Sequence, residues 1–351
     1  MPLSTDPRRT PPAIPGGSRG QGDLKPRQSG DPLQNTMPES RPPKAKKSWG
    51  DPVFKSITLI FAAAILVLAL AIAVELLASA LPAIKGMGWH FFLTQKWDPV
   101  MEQFGGLAFI YGTIVSSLIA FLIATPFGIG ISIFLTELAP RWLREPVSFL
   151  IEILAAIPSV VYGLWGIFVL APLLSVHFDP YLIRWIGRPF FARPSNGLSL
   201  FSAGIILAIM ILPTIMAISR EVFLAIPRSA REGALALGAT RWETIVVAVV
   251  SPSKPGLMGA VMLGLGRALG ETMAVTMIIG NRPLISLNLL APSHSIASVI
   301  ANEFAEATSD MHLSALAELG LVLMGITILI NIAARVMVWS TSSKLRALEK
   351  A

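Results

Sequence analysis

The sequence predicts an all-α membrane protein whose chain crosses the bilayer six times. Of its 351 residues, 53% are hydrophobic and 14% are charged, and the mean hydropathy is +0.66. A soluble protein carries about 25% charged residues, so this chain has too little charge to cover a water-exposed surface of its size. Long uncharged stretches recur, and a membrane-spanning helix needs about 20 predominantly apolar residues. These observations argue against an ordinary soluble enzyme.

Six stretches have the length and composition of membrane spans. We expect them at residues 57–80, 107–136, 150–176, 198–219, 256–281 and 314–339. Prolines fall inside three of these stretches, which a membrane helix bundle tolerates because neighbouring groups satisfy the freed backbone. The apolar stretch 244–253 is too short to cross a bilayer as a helix. We therefore expect it at the membrane surface or in a protein interface.

The first 50 residues form a region of a different kind. They contain ten Pro and six Gly and have no sustained apolar run, so they cannot bury enough apolar surface to offset their ordering entropy. We predict a disordered cytosolic tail at 1–50, a transmembrane domain at 51–351 and a cytosolic segment at 220–255. The tail is not a secretory signal peptide, because no apolar core precedes residue 57.

The net charge of +7 is distributed unevenly along the chain. Residues 1–55 contribute +5 of it, so the basic character comes mostly from the tail and does not indicate a nucleic-acid partner. With the N-terminus inside, the inner segments hold 21 Lys and Arg and the outer loops hold 6. By the positive-inside rule, this asymmetry predicts a multi-pass protein with both termini in the cytosol.

The sequence shows no constellation for catalysis or for metal binding. The chain has no Cys, which excludes disulfides, zinc fingers, iron–sulfur clusters and thiol nucleophiles. We find no Ser/His/Asp set and no Gly-rich phosphate loop, so we expect neither enzymatic activity nor a cofactor nor a metal. The four His are scattered in or beside predicted outer loops without metal-ligand spacing: His90, His177, His294 and His312.

Several carboxylates lie near the ends of predicted spans. Glu75 and Glu318 are placed where a carboxylate can reach the membrane interface. Glu303, Glu306 and Asp310 form an acidic patch in a predicted outer loop. The simplest interpretation of the patch is a solvated loop, and the alternative is a contact surface for a binding protein.

The cytosolic segment between the fourth and fifth spans predicts a short helix, a Gly turn and a second short helix. Small residues at Gly233 and Ala234 would let another surface approach the backbone closely. Gly238 permits the positive φ that a tight interhelical turn needs. The alternative interpretation is a plain amphipathic helix that lies on the membrane.

This segment resembles the cytosolic loop of ABC importer permeases, which reads Glu-Ala-Ala, three residues, then Gly. Glu232, Gly233, Ala234 and Gly238 match it, with Gly in place of the middle Ala. The family pattern continues to a Leu-Pro pair, where this chain departs and has Val-Ser with Pro252 one place late. The resemblance implies that Glu232 to Gly238 docks on a separate ATP-hydrolysing subunit.

Two ionisable residues stand inside the fifth predicted span. Arg267 and Glu271 are four residues apart, which puts both on one face of a helix. Each costs about 2.5–3.5 kcal/mol on membrane-insertion scales, so we expect them to face the bundle interior or a water-filled path and to pair with each other. Arg suits the path of an oxyanion, because its planar guanidinium binds bidentately and stays charged. The alternative is a buried pair that only fixes helix packing.

The stretch around these residues carries a more specific resemblance. Gly264 to Val275 reads GLGRALGETMAV, and together with Gly280-Asn281, Gly112-Thr113 and the segment AIPSVVYG it resembles the PstC-type permease subunit of phosphate-specific ABC importers. The resemblance covers roughly residues 50–345. It implies a type I ABC importer permease fold in a bacterial inner membrane, and a requirement for Arg267 and Glu271 in phosphate passage.

The same resemblance implies partners and leaves rival functions open. The partners would be a homologous second permease (PstA type), two ATPase subunits (PstB type) and an extracytoplasmic phosphate-binding protein (PstS type), working by alternating access. One alternative is an ABC permease for another oxyanion, such as sulfate, molybdate or phosphonate. Another is a stand-alone secondary transporter or channel, and an enzyme embedded in the membrane ranks last.

Overall fold

The computed structural model describes residues 50–192 and 196–348, with side chains described for 52–192 and 196–339. The expected disordered tail, apart from its last residue, lies outside the described residues. Within the described part, six helices are long and apolar enough to span a membrane. They are α1 (Gly50–Met87), α3 (Leu107–Leu138), α5 (Ser159–Trp185), α6 (Leu200–Leu224), α8 (Arg241–Gly270) and α11 (Asp310–Leu348).

Shorter elements connect the long helices. A two-stranded antiparallel hairpin, β1 (Trp97–Asp98) and β2 (Gln103–Phe104), precedes α3 and pairs Trp97 with Phe104. The short helices are α2 (His90–Leu93), α4 (Arg141–Ala156), α7 (Arg228–Ala236), α9 (Met273–Ile278) and α10 (Ile296–Glu303). Four stretches of the long helices are π-helical: Phe134–Leu138, Gly166–Leu170, Leu174–Phe178 and Ile245–Val250.

The third spanning helix differs from the stretch 150–176 that composition selects. The chain forms the separate amphipathic helix α4, then two non-helical residues, and only then α5. Ile157 and Pro158 are extended, with ψ of 129° and 143°. The proline ring disfavours the helical conformation for the residue before it, and at Pro158 the chain separates two helices that hydropathy alone joins.

The stretch 244–253 is continuous with the fifth spanning helix. It is not a separate interfacial segment, because it forms part of the first half of α8, which runs for 30 residues. At 1.5 Å per residue, such a helix is about 45 Å long. Ten residues are too few to span a membrane alone, but they continue without a break into the rest of this helix.

The fifth span ends earlier than the predicted residue 281. Helix α8 stops at Gly270, Glu271 is extended with ψ 127°, and α9 starts at Met273. Helix α9 ends at a turn in which Gly280 and Asn281 have φ of 94° and 50°. Glycine adopts such a positive φ without strain, so Gly280 fits the turn that follows α9.

Helix α6 lies at the centre of the packed helices. Of its most apolar window, 61% is buried, against 0% for α1 and 6% for α11. Small residues let α3 and α6 approach closely: a Cβ on Gly204 would lie 2.5 Å from Ile119. Ser132 Oγ on α3 donates to the Met216 carbonyl on α6 at 2.8 Å. The largest apolar core is built from α3, α5, α6, α8 and α9.

Candidate functional site

The helix–turn–helix that the sequence predicts is present and exposed. Helix α7 contains no buried residue among the nine described, and Glu232, Gly233 and Gly238 are exposed while Ala234 is half-buried. Gly238 has φ 88°, and no described heavy atom lies within 4 Å of a Cβ built on it. The turn therefore requires the backbone freedom of glycine, whereas the space beside it is open.

The start of α8 is fixed by a capping box. Thr240 Oγ1 accepts from the Glu243 backbone N–H at 3.3 Å, and the Glu243 carboxylate accepts from the Thr240 backbone N–H at 2.8 Å. This reciprocal arrangement satisfies two backbone donors that a helix start leaves unpaired. The turn between α7 and α8 therefore has a defined conformation at its α8 end.

Two large apolar side chains flank this turn, and the sequence reasoning missed them. Leu237 is 91% exposed and Trp242 is 65% exposed. The signal that would have found them is an apolar side chain on each side of a Gly turn in a polar segment. They add exposed apolar area to the segment that also carries the exposed Glu232, beside the end of α3.

Arg231, which precedes this motif, is held firmly by three other parts of the chain. Its guanidinium donates to Glu137 Oε1 through Nε at 3.2 Å and through Nη2 at 2.9 Å. Nη2 also donates to the Phe223 carbonyl at 2.9 Å, and Nη1 donates to the Ile226 carbonyl at 2.7 Å. The sequence reasoning missed this contact, because Arg231 and Glu137 are 94 residues apart.

Arg267 lies on α8 and its side chain is exposed in the isolated chain. Its Nη1 donates to Thr214 Oγ1 on α6 at 3.2 Å. Gly264, one helical turn earlier, lets the two helices approach: a Cβ there would lie 2.7 Å from the wholly buried Ile215. The close contact between α6 and α8 therefore brings Thr214 within reach of the guanidinium.

The expected pairing of Arg267 with Glu271 is wrong. The two side chains form neither an ion pair nor a hydrogen bond with each other; Glu271 Oε1 instead accepts from the Ala274 backbone N–H at 3.3 Å. The i to i+4 relation holds only in a continuous helix, and α8 ends at Gly270. A glycine at the end of a periodic stretch is a helix-stop signal, so the sequence itself indicated that the helix ends near Gly270.

The expected solvated acidic patch is also only partly correct. Glu306 and Asp310 are exposed, but Glu303 Oε2 accepts from Trp97 Nε1 at 2.8 Å and lies 2.9 Å from His312 Nε2. His312 stacks on Phe104 with ring centroids 5.2 Å apart. Glu303, which belongs to α10, therefore joins this helix to the β1–β2 hairpin and to α11.

Two further polar groups that were expected near the surface are buried. Glu318 is 2% exposed and has no hydrogen-bond partner on Oε2 among the described residues. His294 is 4% exposed and packs against Phe109 with ring centroids 5.3 Å apart. Burial lowers the pKa of His294 to about 4, so its ring is neutral at physiological pH. Within the ranges that the structure covers, no cluster of three His, Asp or Glu side chains is arranged to hold a metal ion.

Six helices with the length and composition of membrane spans place the described part of this chain among multi-pass membrane proteins. The sequence profile of the family described as "Binding-protein-dependent transport system inner membrane component" matches residues 128–341. The chain belongs to this family.

Relatives with high sequence identity carry one name. The chain is similar to the phosphate transport system permease protein PstC of Haemophilus influenzae, with 48% identity over 297 residues that cover 83% of this chain and 94% of the relative. It is also similar to the protein of that name from Mesorhizobium japonicum, with 47% identity over 302 residues that cover 85% and 92%. A solved structure of the MetNI methionine ABC transporter in inward facing conformations aligns with 73% of this chain and 98% of its own, at 18% identity and a TM-score of 0.48.

Proposed function

We propose that this chain is the transmembrane subunit of an ATP-driven importer of inorganic phosphate. The relatives with 47–48% identity over most of the chain are named as phosphate transport permeases, which supports the substrate. The observation that carries the proposal in this structure is the exposed guanidinium of Arg267 on a spanning helix, held by a neutral hydroxyl and not by a carboxylate. An arginine in this setting keeps its charge available for an oxyanion.

The chemistry of the path follows from that geometry. A charged residue within a spanning segment is costly unless it faces water or a partner, so Arg267 faces a path that this chain shares with a homologous second permease of the PstA type. The guanidinium attracts phosphate and offers paired N–H donors to two of its oxygens. Glu271 lies at the break between α8 and α9, where its carboxylate limits how long an anion stays beside Arg267.

ATP hydrolysis takes place in separate subunits of the PstB type. The exposed surface around Glu232, Gly233, Ala234 and Gly238 docks on them, with Leu237 supplying apolar area. A phosphate-binding protein of the PstS type delivers substrate on the opposite side of the membrane. In this arrangement both termini of the chain lie in the cytosol, as the distribution of Lys and Arg predicts.

Uptake by the reconstituted complex tests the substrate path. The chain would be assembled with its second permease, ATPase and binding protein in vesicles, and uptake of labelled phosphate would be measured on addition of ATP. We expect Arg267→Gln to lower uptake by more than tenfold and Arg267→Lys to give an intermediate rate, because lysine keeps the charge without the bidentate geometry. Excess unlabelled sulfate or molybdate should leave uptake unchanged.

Lys254→Gln is the matched control for this experiment. Lys254 is an exposed cation on the same helix, more than three turns from Arg267, and its replacement removes the same charge. We expect it to transport at the rate of the unmodified chain. Undiminished uptake by Arg267→Gln, or an equal loss in Lys254→Gln, would refute the role of Arg267.

Copurification of the ATPase tests the docking surface. Gly238→Val forces a β-branched residue into φ 88°, a conformation that such residues avoid, and we expect the ATPase subunit to be lost from the purified complex. Gly187→Val is the control, since Gly187 also has a positive φ of 67° but lies in the turn after α5. Retention of the ATPase by Gly238→Val would contradict the docking role.

A further inference from the structure

The contact between Arg231 and Glu137 joins α7 to two spanning helices at once. Glu137 belongs to the last turn of α3, and Phe223 belongs to the last turn of α6. The third acceptor, the Ile226 carbonyl, lies in the connection between α6 and α7. One guanidinium thus uses three nitrogens to bind the ends of two helices and the segment that leads into α7.

The two side chains are shielded from water. The Arg231 side chain is 20% exposed and the Glu137 side chain is 13% exposed. Hydrogen bonds with ionised partners are stronger than neutral ones, and they are screened less by salt when partly buried. By contrast, the pair Arg220–Glu221 on α6 has a separation of 3.5 Å and a glutamate side chain that is 70% exposed. Such surface pairs contribute little.

Apolar packing supplies little of the attachment of α7. All nine of its residues are described, and each is exposed or half-buried. The end of α3 is reinforced by a second arginine: Arg144 Nη2 donates to the Thr136 carbonyl at 3.1 Å and to the Ala139 carbonyl at 3.4 Å. The helix end that holds Glu137 is therefore a firm support, while α7 itself depends on polar contacts.

We propose that Arg231 is the positioning residue that fixes the coupling helix α7 to α3 and α6, so that movement of the ATPase is transmitted to the spanning helices. This proposal rests on the proposed function, because it assigns the mechanical connection behind the docking surface. The partner that moves α7 binds its exposed face, and Arg231 holds the opposite face. Without this connection, α7 keeps only its chain links to α6 and α8, and movement of the ATPase no longer reaches α3 through α7.

Two variants that remove the ion pair separate positioning from docking, and two more serve as the conservative replacement and the control. Arg231→Gln and Glu137→Gln each remove the ion pair and leave Glu232 and Gly238 in place, so the ATPase should still copurify. We expect phosphate uptake per ATP hydrolysed to fall at least tenfold in both, and Arg231→Lys to recover part of the loss. Glu221→Gln removes a carboxylate from an exposed pair and should behave as the unmodified chain.

A crosslink between positions 137 and 231 tests whether restoring the connection also restores coupling. The chain has no Cys, so Glu137→Cys with Arg231→Cys introduces the two thiols of this subunit, in a complex whose other subunits carry no reactive thiol. Joining them with a reducible bifunctional thiol reagent should restore phosphate uptake per ATP hydrolysed. Reduction of the crosslink should lower this ratio again. Failure of the crosslink to restore coupling would overturn the positioning role, as would normal coupling in Arg231→Gln and Glu137→Gln.

Hydrogen exchange tests the attachment of α7 independently of which substrate the complex transports. Amides of 228–236 should exchange at least tenfold faster in Arg231→Gln and Glu137→Gln than in Glu221→Gln, whatever the complex transports. Unchanged exchange would refute the attachment. Absence of phosphate uptake by the unmodified complex would refute the proposed function instead, and the attachment would then be decided by exchange and by the ATPase rate that the binding protein stimulates.

Discussion

Replacing Gly264 with alanine tests whether close packing of α6 and α8 positions Arg267. A Cβ at this position would lie 2.7 Å from Ile215 Cγ1 and 2.9 Å from Ile215 Cδ1, whereas ordinary van der Waals contact begins at 3.4 Å. The contact is therefore short by about 0.7 Å. Ile215 is completely buried, so its side chain has little room to move away, and the helices must separate.

The hydrogen bond of Arg267 is sensitive to such a separation. The distance from Nη1 to Thr214 Oγ1 is 3.2 Å, already at the long end of the range for N–H···O bonds. A displacement of about half an ångström breaks it. Overpacking of this kind destabilises by about 1–3 kcal/mol, while replacing a helical glycine with alanine favours the helix by about 1 kcal/mol.

Gly259→Ala is the control, because it shares the gain in helix propensity without the clash. Gly259 is on the same helix, and no described heavy atom lies within 4 Å of its added Cβ. The difference between the two variants therefore isolates the clash. We expect Gly264→Ala to unfold at a lower temperature than Gly259→Ala and to transport phosphate more slowly. Equal thermal stability and equal uptake in the two variants would refute the reasoning.

Three other predictions concern packing, capping and pH. Gly112→Ala places a Cβ against the His294 carbonyl, which is backbone and cannot rotate away. We expect it to lower the unfolding temperature, whereas Gly130→Ala on the same helix, with open space around it, should not. Thr240→Ala removes the capping box with Glu243 and should destabilise the start of α8 by about 1 kcal/mol, seen as faster amide exchange there. His294 has a pKa lowered by burial to about 4, from an ordinary value of 6.5, so the unfolded chain binds a proton in a window where the folded chain does not. The stabilising contribution of neutral His294 should therefore be fully present above pH 6.5 and be lost as the pH drops towards 4. In thermal unfolding measured against pH, His294→Gln should reduce the slope of the unfolding temperature over this range.

Much of the fold follows directly from the sequence. The number of spans is correct because hydropathy is a local property, which a helix of membrane length expresses whatever its neighbours are. Gly238 marks a real turn for the same reason, since a positive φ is a requirement of one residue. The errors occur at helix boundaries, where Pro158 and Gly270 interrupt stretches that composition joins.

The partners of charged side chains were less predictable. Arg267 and Glu271 were expected to pair on the basis of helical spacing, but the helix ends between them. Glu303 was expected to face water, but it accepts from Trp97, which is 206 residues away in the sequence. Each of these outcomes depends on which helix ends meet, and no local pattern carries that information.

The sequence by itself determined the class of molecule, the number of its spans, the exposed turn at Gly238 and the unusual presence of Arg267 in an apolar helix. The tertiary structure decided that Arg267 is held by Thr214, that Glu271 accepts from a backbone N–H of α9, and that Arg231 binds Glu137. The physical reason is one of range. Hydrophobicity and backbone freedom act within a few residues, whereas a hydrogen bond between distant side chains forms only when packed helices bring two atoms to about 3 Å.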